Sequence, residues 1–171
     1  KIGNEIYDRK FVFSEIGYNF EPSEISAAFG LVQLKKLKKN LNKRIDIFNR
    51  HQLFFEKYND YFILPKQHKN IYSGWLAYPL IIKNRVGFDR KDLQIFLEKQ
   101  NIQTRVIFTG NILKQPGYKN IKKKLSPYGY KNTDKIHKNG LIISLYHGLS
   151  EKHLSYMYKK FDLFLSKYKN I

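Results

Sequence analysis

Residues 17–34 read GYNFEPSEISAAFGLVQL, and the long helix that this stretch predicts sets the interpretation of the rest of the chain. Ser23 is suited to cap a helix N-terminus, and Glu24 favours the positive end of the helix dipole. Apolar residues then recur at helical spacing, at Ile25, Phe29, Val32, Leu34, Leu37, Leu41, Ile45 and Phe48. The pattern predicts a packed helical stretch to about Tyr58, broken near residues 36–40, where the apolar stripe changes phase.

Downstream of this helix, the pattern alternates between strands and helices. Apolar runs predict strands at residues 75–82, 102–108 and 141–146. Pro79 pushes the first of these toward an edge or a bulge, because proline cannot donate to a strand ladder. Short helices are predicted after Asp89 and after Ser150, and residues 114–137 are predicted to be a long surface excursion. The sequence therefore predicts an α/β or α+β fold with helices packed on a few-stranded sheet.

The charge of the chain points first toward nucleic acid. Its 171 residues contain 32 Lys and Arg against 14 Asp and Glu, for a formal net charge of +18. Basic clusters gain affinity by releasing counterions from phosphates. However, the 26 Lys are spread in short runs and far outnumber the 6 Arg, whereas base-reading surfaces favour guanidinium groups. A basic nucleic-acid-binding module is therefore the disfavoured alternative from another class.

The composition also excludes several kinds of site. The chain has no Cys, which excludes disulfides, a thiol nucleophile and iron–sulfur ligands within these residues. Apolar runs fall far short of the roughly 20 residues of a transmembrane helix, so we expect no membrane partner and a cytoplasmic protein. The five His show no metal-binding spacing, and no nucleophile signature is present. Because the chain starts at Lys1 and its single Met is Met157, we expect a piece of a longer protein.

Polar residues near turns and strand ends are the remaining candidates for a site. Asn19 precedes the first helix and can offer an amide donor to an anion, or can simply be a turn residue. Arg105 begins an apolar strand and would suit a carboxylate or diphosphate, or else an internal acid. His147 in the late turn could donate a proton near neutral pH, or could simply pack.

Three segments resemble the DegT/DnrJ/EryC1/StrS sugar aminotransferase family. Residues 17–34 resemble its hallmark segment, and residues 144–150, SLYHGLS, resemble its late turn, although Tyr146 and His147 stand where His and Pro are usual. Residues 103–116, QTRVIFTGNILKQP, resemble the sugar 3-dehydratase branch. Many relatives carry Arg where this chain has Glu21, so the resemblance does not imply an anion contact at this position.

The resemblance implies the C-terminal small domain of a fold-type-I enzyme that depends on pyridoxal phosphate (PLP) or pyridoxamine phosphate (PMP). Residues 1–20 would be the tail of the large PLP domain and an inter-domain loop, and residues 21–171 the small α/β domain. The catalytic Lys, or the His that replaces it in 3-dehydratases, would precede Lys1, so no catalytic residue and no metal ligand is assigned here. Iron–sulfur cysteines would also precede it, which leaves a cluster in the parent open.

The implied activity is that of an NDP-4-keto-6-deoxyhexose 3-dehydratase, which acts in the biosynthesis of the 3,6-dideoxysugars of O-antigen or other surface polysaccharides. A 4-aminotransferase on the same kind of substrate is the alternative. Asn19 matches the family residue that reaches the PLP phosphate of the partner subunit, which implies a homodimer. Arg105 and Asn111 match branch residues expected to face the sugar nucleotide or the carboxylate of the amino donor, and His147 is the third substrate-binding candidate.

Overall fold

The computed structural model describes residues 15–18, 20–118 and 120–169. Its helices are α1 (Glu24–Glu56), α2 (Arg90–Lys99), α3 (Lys131–Asn139) and α4 (Glu151–Leu165). Its strands are β1 (Phe62–Ile63), β2 (Ala77–Ile82), β3 (Arg105–Val106) and β4 (Gly140–Ser144), and they form one antiparallel sheet in the order β1-β2-β4-β3. The predicted α+β fold, with a small sheet and a long first helix, is confirmed. In the described part of the chain, no helix combines the length and the apolar character needed to cross a membrane.

Two compact units divide the chain, Lys1–Leu37 and Lys38–Ile171, with the boundary inside α1. The predicted break near residues 36–40 is wrong, because α1 is continuous through them. Lys and Leu are strong helix formers, so the backbone stays helical where the apolar stripe changes phase. The apolar stripe changes phase where α1 passes from the first unit, in which its apolar side chains are exposed, to the second unit, in which most of them are buried. Apolar side chains of the first unit are exposed, among them Ile25, Phe29 and Leu34, whereas Ile47, Phe48, Phe54 and Phe55 of the second unit are buried.

The core of the second unit lies on one face of the sheet. Tyr78, Leu80 and Ile82 of β2 are buried, and Tyr78 and Leu80 pair with Ile143 and Leu141 of β4. Buried residues of all three longer helices join them, namely Phe55, Leu93, Leu97, Leu154, Phe161 and Leu165. The aromatic rings of Phe55 and Tyr78 stack with centroids 5.6 Å apart. Every second residue of β2 therefore faces the core, and the helices that cover this face contribute the apolar residues of one helix side each.

On the opposite face of the sheet, a Cβ atom on Gly140 would lie 2.8 Å from Cδ1 of Ile107, so the Ile107 side chain covers the sheet where β4 begins. The Ile136 carbonyl oxygen would lie 2.6 Å from the same Cβ atom, because it accepts the Gly140 N–H at the end of α3. At the other end of β4, Ser144 is exposed, and Ile142 between them is half-buried.

The strand predictions at Pro79 and at residues 102–108 have different outcomes. β2 as a whole lies between β1 and β4, but β1 pairs only with Ile81 and Ile82. At Pro79, β4 is therefore the one paired neighbour among the described residues, as expected for a proline at a strand edge. The prediction for 102–108 needs correction: β3 has two residues instead of seven, because Thr104 bonds to Glu98 before it and the chain turns at Phe108, with φ 47°, after it.

The predicted surface excursion over residues 114–137 contains helix α3 from Lys131 onward. Its N-terminal flank, Tyr130, makes no side-chain capping hydrogen bond, so the usual start signal is missing from the sequence. The helices after Asp89 and Ser150 begin as predicted. Each start has a capping box, with Asp92 and His153 as the returning side chains.

Candidate functional site

A cleft of about 490 Å³ lies beside Arg105, between residues 101–105, the end of β4 and the start of α4. We call it the Arg105 cleft. Small-molecule sites commonly have volumes of about 300–1,000 Å³. The residues that matter most for its chemistry are Ile102, Arg105, Ser144, Leu149, Tyr156 and Met157. The cleft is thus mainly apolar, with a few polar groups at its rim.

The cleft exists because the chain before Arg105 does not pair with β4. The ladder between β3 and β4 ends at the pair Arg105 and Ile142. The backbone N–H of Thr104 instead donates to the Glu98 carboxylate of α2 at 2.7 Å, and its hydroxyl also lies 3.3 Å from that oxygen. Gln94 donates to the same hydroxyl at 3.2 Å. Helix α2 therefore holds this segment away from β4 and keeps the gap open.

Arg105 is exposed, and so is its strand neighbour Val106. Arg105 begins a strand as predicted, but β3 is a short edge strand, so the Arg105 charge is not buried and does not require an internal acid. Within residues 15–18, 20–118 and 120–169, its guanidinium makes no ion pair, and no Asp or Glu lines the cleft. The alternative of an internal acid partner is thus not seen among these residues. A free guanidinium beside an apolar cleft is suited to bind an anion.

Two polar residues of α1 hold the end of β4 that forms one wall of the cleft. His51 is fully buried, its Nε2 lies 3.0 Å from the Ser144 carbonyl oxygen, and its Nδ1 lies 2.7 Å from the Tyr158 hydroxyl. Because a carbonyl can only accept, Nε2–H donates to it and the tyrosine hydroxyl donates to Nδ1. Burial lowers the pKa of His51 to about 4, so the ring is neutral.

Arg44 holds the next residue of the same wall. Its Nη1 donates to the carbonyl oxygens of Leu145 at 3.1 Å and Trp75 at 3.0 Å, so it ties the chain after β4 to the chain before β2. Sequence reasoning missed both α1 residues as part of the site. The available signal is their spacing of seven residues, which places Arg44 and His51 on one helix face within an otherwise apolar stripe.

Asn111 organises the loop after β3. It is 4% exposed, its Oδ1 accepts from the Leu113 N–H at 3.0 Å, and its Nδ2 donates to Asp134 at 2.8 Å. Lys114 pairs with the same carboxylate at 2.8 Å. The hydrogen bond from Lys114 is the main reason that the pKa of Asp134 is lowered, and the hydrogen bond from Asn111 adds to it. The Asn111 side chain thus already has partners on α3 and in its own loop. It does not line the Arg105 cleft, and its contact with a ligand stays a prediction.

The other two candidates are His147 and Asn19. His147 is half-buried with its ring 4.5 Å from that of Tyr146, and its Nδ1 is buried without a hydrogen-bond partner among the described residues. Its contact with substrate stays a prediction. Asn19 lies outside the described residues, so its predicted phosphate contact also stays a prediction.

The described residues do not by themselves fit a resident PLP. Neither the Arg105 cleft nor a smaller cleft of about 220 Å³ beside Phe108 and His137 is lined by a lysine for an aldimine or by an Asp that could pair with the pyridine nitrogen. The same residues contain no group of three His, Cys, Asp or Glu placed to hold a metal ion. The Arg105 cleft can bind and orient an anionic molecule through its guanidinium.

Known proteins resemble this chain over most of its length. The model of the DegT/DnrJ/EryC1/StrS aminotransferase family matches residues 2–162. Lipopolysaccharide biosynthesis protein RfbH of Salmonella typhimurium is 31% identical over 92% of this chain and 36% of its own length. The dTDP-4-amino-4,6-dideoxy-D-glucose transaminase of Escherichia coli is 31% identical over 61% of this chain and 28% of its own length.

The comparison of folds agrees with these matches. The solved structure of E. coli GDP-4-keto-6-deoxy-D-mannose-3-dehydratase with bound hydrated PLP is 30% identical over 90% of this chain, with a TM-score of 0.70. The chain covers 38% of that protein. It thus spans about a third of the length of the relatives it matches.

Proposed function

Because this chain belongs to the DegT/DnrJ/EryC1/StrS aminotransferase family, we propose that it is the C-terminal part of an NDP-4-keto-6-deoxyhexose 3-dehydratase. The enzyme would depend on PLP or PMP and act in the biosynthesis of a 3,6-dideoxysugar for O-antigen or another surface polysaccharide. The observation that carries the proposal is the segment over residues 103–116. It resembles the dehydratase branch, and it places Arg105, exposed, at a cleft without a carboxylate in its lining.

In this proposal, Arg105 binds an anionic group of the sugar nucleotide or of the amino donor. His51, Arg44 and Glu98 position the walls of its cleft through the hydrogen bonds described above. Asn111 keeps its loop and α3 together, and direct substrate contacts of Asn111 and His147 are secondary parts of the proposal. The chain contributes binding and orientation.

The cofactor supplies an electron sink for expelling the C3 hydroxyl when it is bound. In this proposal it is held mainly by residues outside the chain, and the parent enzyme is a cytoplasmic homodimer in which Asn19 reaches the PLP phosphate of the other subunit. Whether the parent carries an iron–sulfur cluster is left open.

The second candidate is a 4-aminotransferase on the same class of substrate, which the similarity to the E. coli transaminase favours. Mass spectrometry separates the two after the enzyme that carries this chain is incubated with GDP-4-keto-6-deoxymannose, PLP and glutamate. A 3-dehydratase yields a sugar that lacks the C3 oxygen, whereas an aminotransferase yields a 4-amino sugar that keeps it. An unchanged sugar with GDP-, CDP- and dTDP-linked substrates alike, whether glutamate or an iron–sulfur reductase with NADH supplies the electrons, would overturn both.

A further inference from the structure

We propose that the Arg105 cleft binds the nucleoside diphosphate part of the sugar nucleotide, and not the carboxylate of the amino donor. This inference rests on the proposed function and narrows it. It is carried by three properties of the cleft: its charge, its apolar wall and the unpaired end of β4 along its side.

The charge of the cleft favours an anion. Arg105 is the cation in its lining, and none of the lining residues is an Asp or Glu. A second positive charge lies beside its wall, because the Lys160 Nζ is 5.1 Å from the centroid of the Tyr156 ring. A guanidinium binds two oxygens of a diphosphate in parallel, which suits this group better than a lone point charge would.

The apolar wall favours a ligand with a flat, weakly polar part. Ile102, Leu149 and Met157 line the cleft together with Tyr156. The Tyr156 hydroxyl donates to the Gln100 carbonyl oxygen at 3.2 Å, so the ring is held in place. Nucleobases stack well on such side chains. Glutamate has no comparable surface to bury, and a cleft of about 490 Å³ is larger than it needs.

The third property is the end of β4. Beyond Ile142, the described residues provide no strand to pair with β4 on the β3 side, because Glu98 takes the backbone N–H of Thr104. The Ser144 carbonyl already accepts from His51 and the Leu145 carbonyl from Arg44, so this end of β4 offers the cleft the exposed Ser144 hydroxyl. Base edges carry donors and acceptors, and a hydroxyl can bond to either without a charged side chain.

The first measurement is an NMR titration of this chain with GDP, CDP and UDP, beside pyrophosphate and glutamate as probes without a base. The nucleotides should shift the amide signals of Ile102, Arg105 and Ser144 and should bind more tightly than either control probe. Arg105→Gln should weaken nucleotide binding about tenfold or more, as expected for a lost hydrogen bond to a charged group. Lys91→Gln, which removes an exposed charge outside the cleft lining, should leave the affinity unchanged. Tyr156→Ala should weaken the binding of the nucleotides but not the binding of pyrophosphate.

The second measurement uses the enzyme that carries this chain. Arg105→Gln should raise the KM for the sugar nucleotide about tenfold or more and leave the KM for glutamate unchanged. If Arg105→Gln raises the KM for glutamate alone, or raises neither KM, the inference is overturned. Turnover by the enzyme still supports the proposed function in that case. Base-dependent nucleotide binding without any turnover overturns the function and supports the inference. The KM values decide if the two measurements differ, and the titration decides if the enzyme has no turnover.

Discussion

Arg44 and Arg105 show that the same side chain serves two different purposes in this protein. Arg44 is half-buried and donates to two backbone carbonyls, whereas Arg105 is exposed at a cleft. Arg44→Ala leaves those carbonyls without a charged donor and should lower the free energy of unfolding by about 1.5–3 kcal/mol. Arg105→Ala should change it by less than about 0.5 kcal/mol. Urea unfolding of both variants measures this, and a large loss for Arg105→Ala would remove it from the ligand site.

His51 makes a second residue-level prediction, which concerns pH. Its pKa is lowered from 6.5 to about 4 in the folded chain, so the unfolded chain binds the proton more readily. Its contribution to stability is complete above pH 6.5 and is lost as the pH falls toward 4. Between pH 7.5 and 5 the free energy of unfolding should fall by about 2 kcal/mol through this group.

The pH dependence is measured by urea unfolding of the native chain, of His51→Gln and of His68→Gln. A glutamine at position 51 can still donate and accept hydrogen bonds but does not titrate. The free energy of unfolding of His51→Gln should therefore fall by about 2 kcal/mol less than that of the native chain between pH 7.5 and 5. His68 is exposed, and its variant is the matched control that should follow the native chain. Equal slopes for the native chain and His51→Gln would contradict the assignment.

At the level of elements, the start of β4 at Gly140 lies directly against the last turn of α3 and the Ile107 side chain. The Cβ atom of an alanine there would lie 2.6 Å from a backbone oxygen, which cannot move away as a flexible side chain can. Gly140→Ala should therefore lower the free energy of unfolding by about 1–3 kcal/mol. Gly117→Ala, where no atom lies within 4 Å of an added Cβ, is the control and should have little effect. Equal effects of the two substitutions in urea unfolding would show that Gly140 does not lie this close to the Ile136 oxygen and the Ile107 side chain.

At the level of the whole molecule, we expect this chain alone not to retain PLP. Neither described cleft is lined by a lysine or by an Asp that could pair with the pyridine nitrogen, and the chain spans about a third of the length of its relatives. After incubation with PLP and dialysis against an amine buffer, which strips PLP from surface lysines, the visible absorbance of the cofactor should be absent. A retained, stoichiometric signal would contradict the placement of the cofactor outside this chain.

The net charge of +18 allows a separate test of the nucleic-acid alternative. We expect filter binding to duplex and single-stranded DNA to be weak and to disappear as salt is raised, as for dispersed lysines. Submicromolar affinity that persists at physiological salt would favour the alternative. This outcome would also count against reading the charge as a property of the solvent-facing helix surfaces.

Local signals in the sequence were enough for the family, the fold class and several element starts. Asp89 and Ser150 cap their helices because a capping box is a contact between residues three apart. Contacts between different elements decided the rest. Only the tertiary structure shows that Glu98 diverts Thr104 from β4 and opens the cleft, and that Arg44 and His51 hold the strand end about a hundred residues away, 101 and 93 positions along the chain. Periodicity in a sequence reports which face of an element is apolar, but not which distant backbone groups its polar residues will meet.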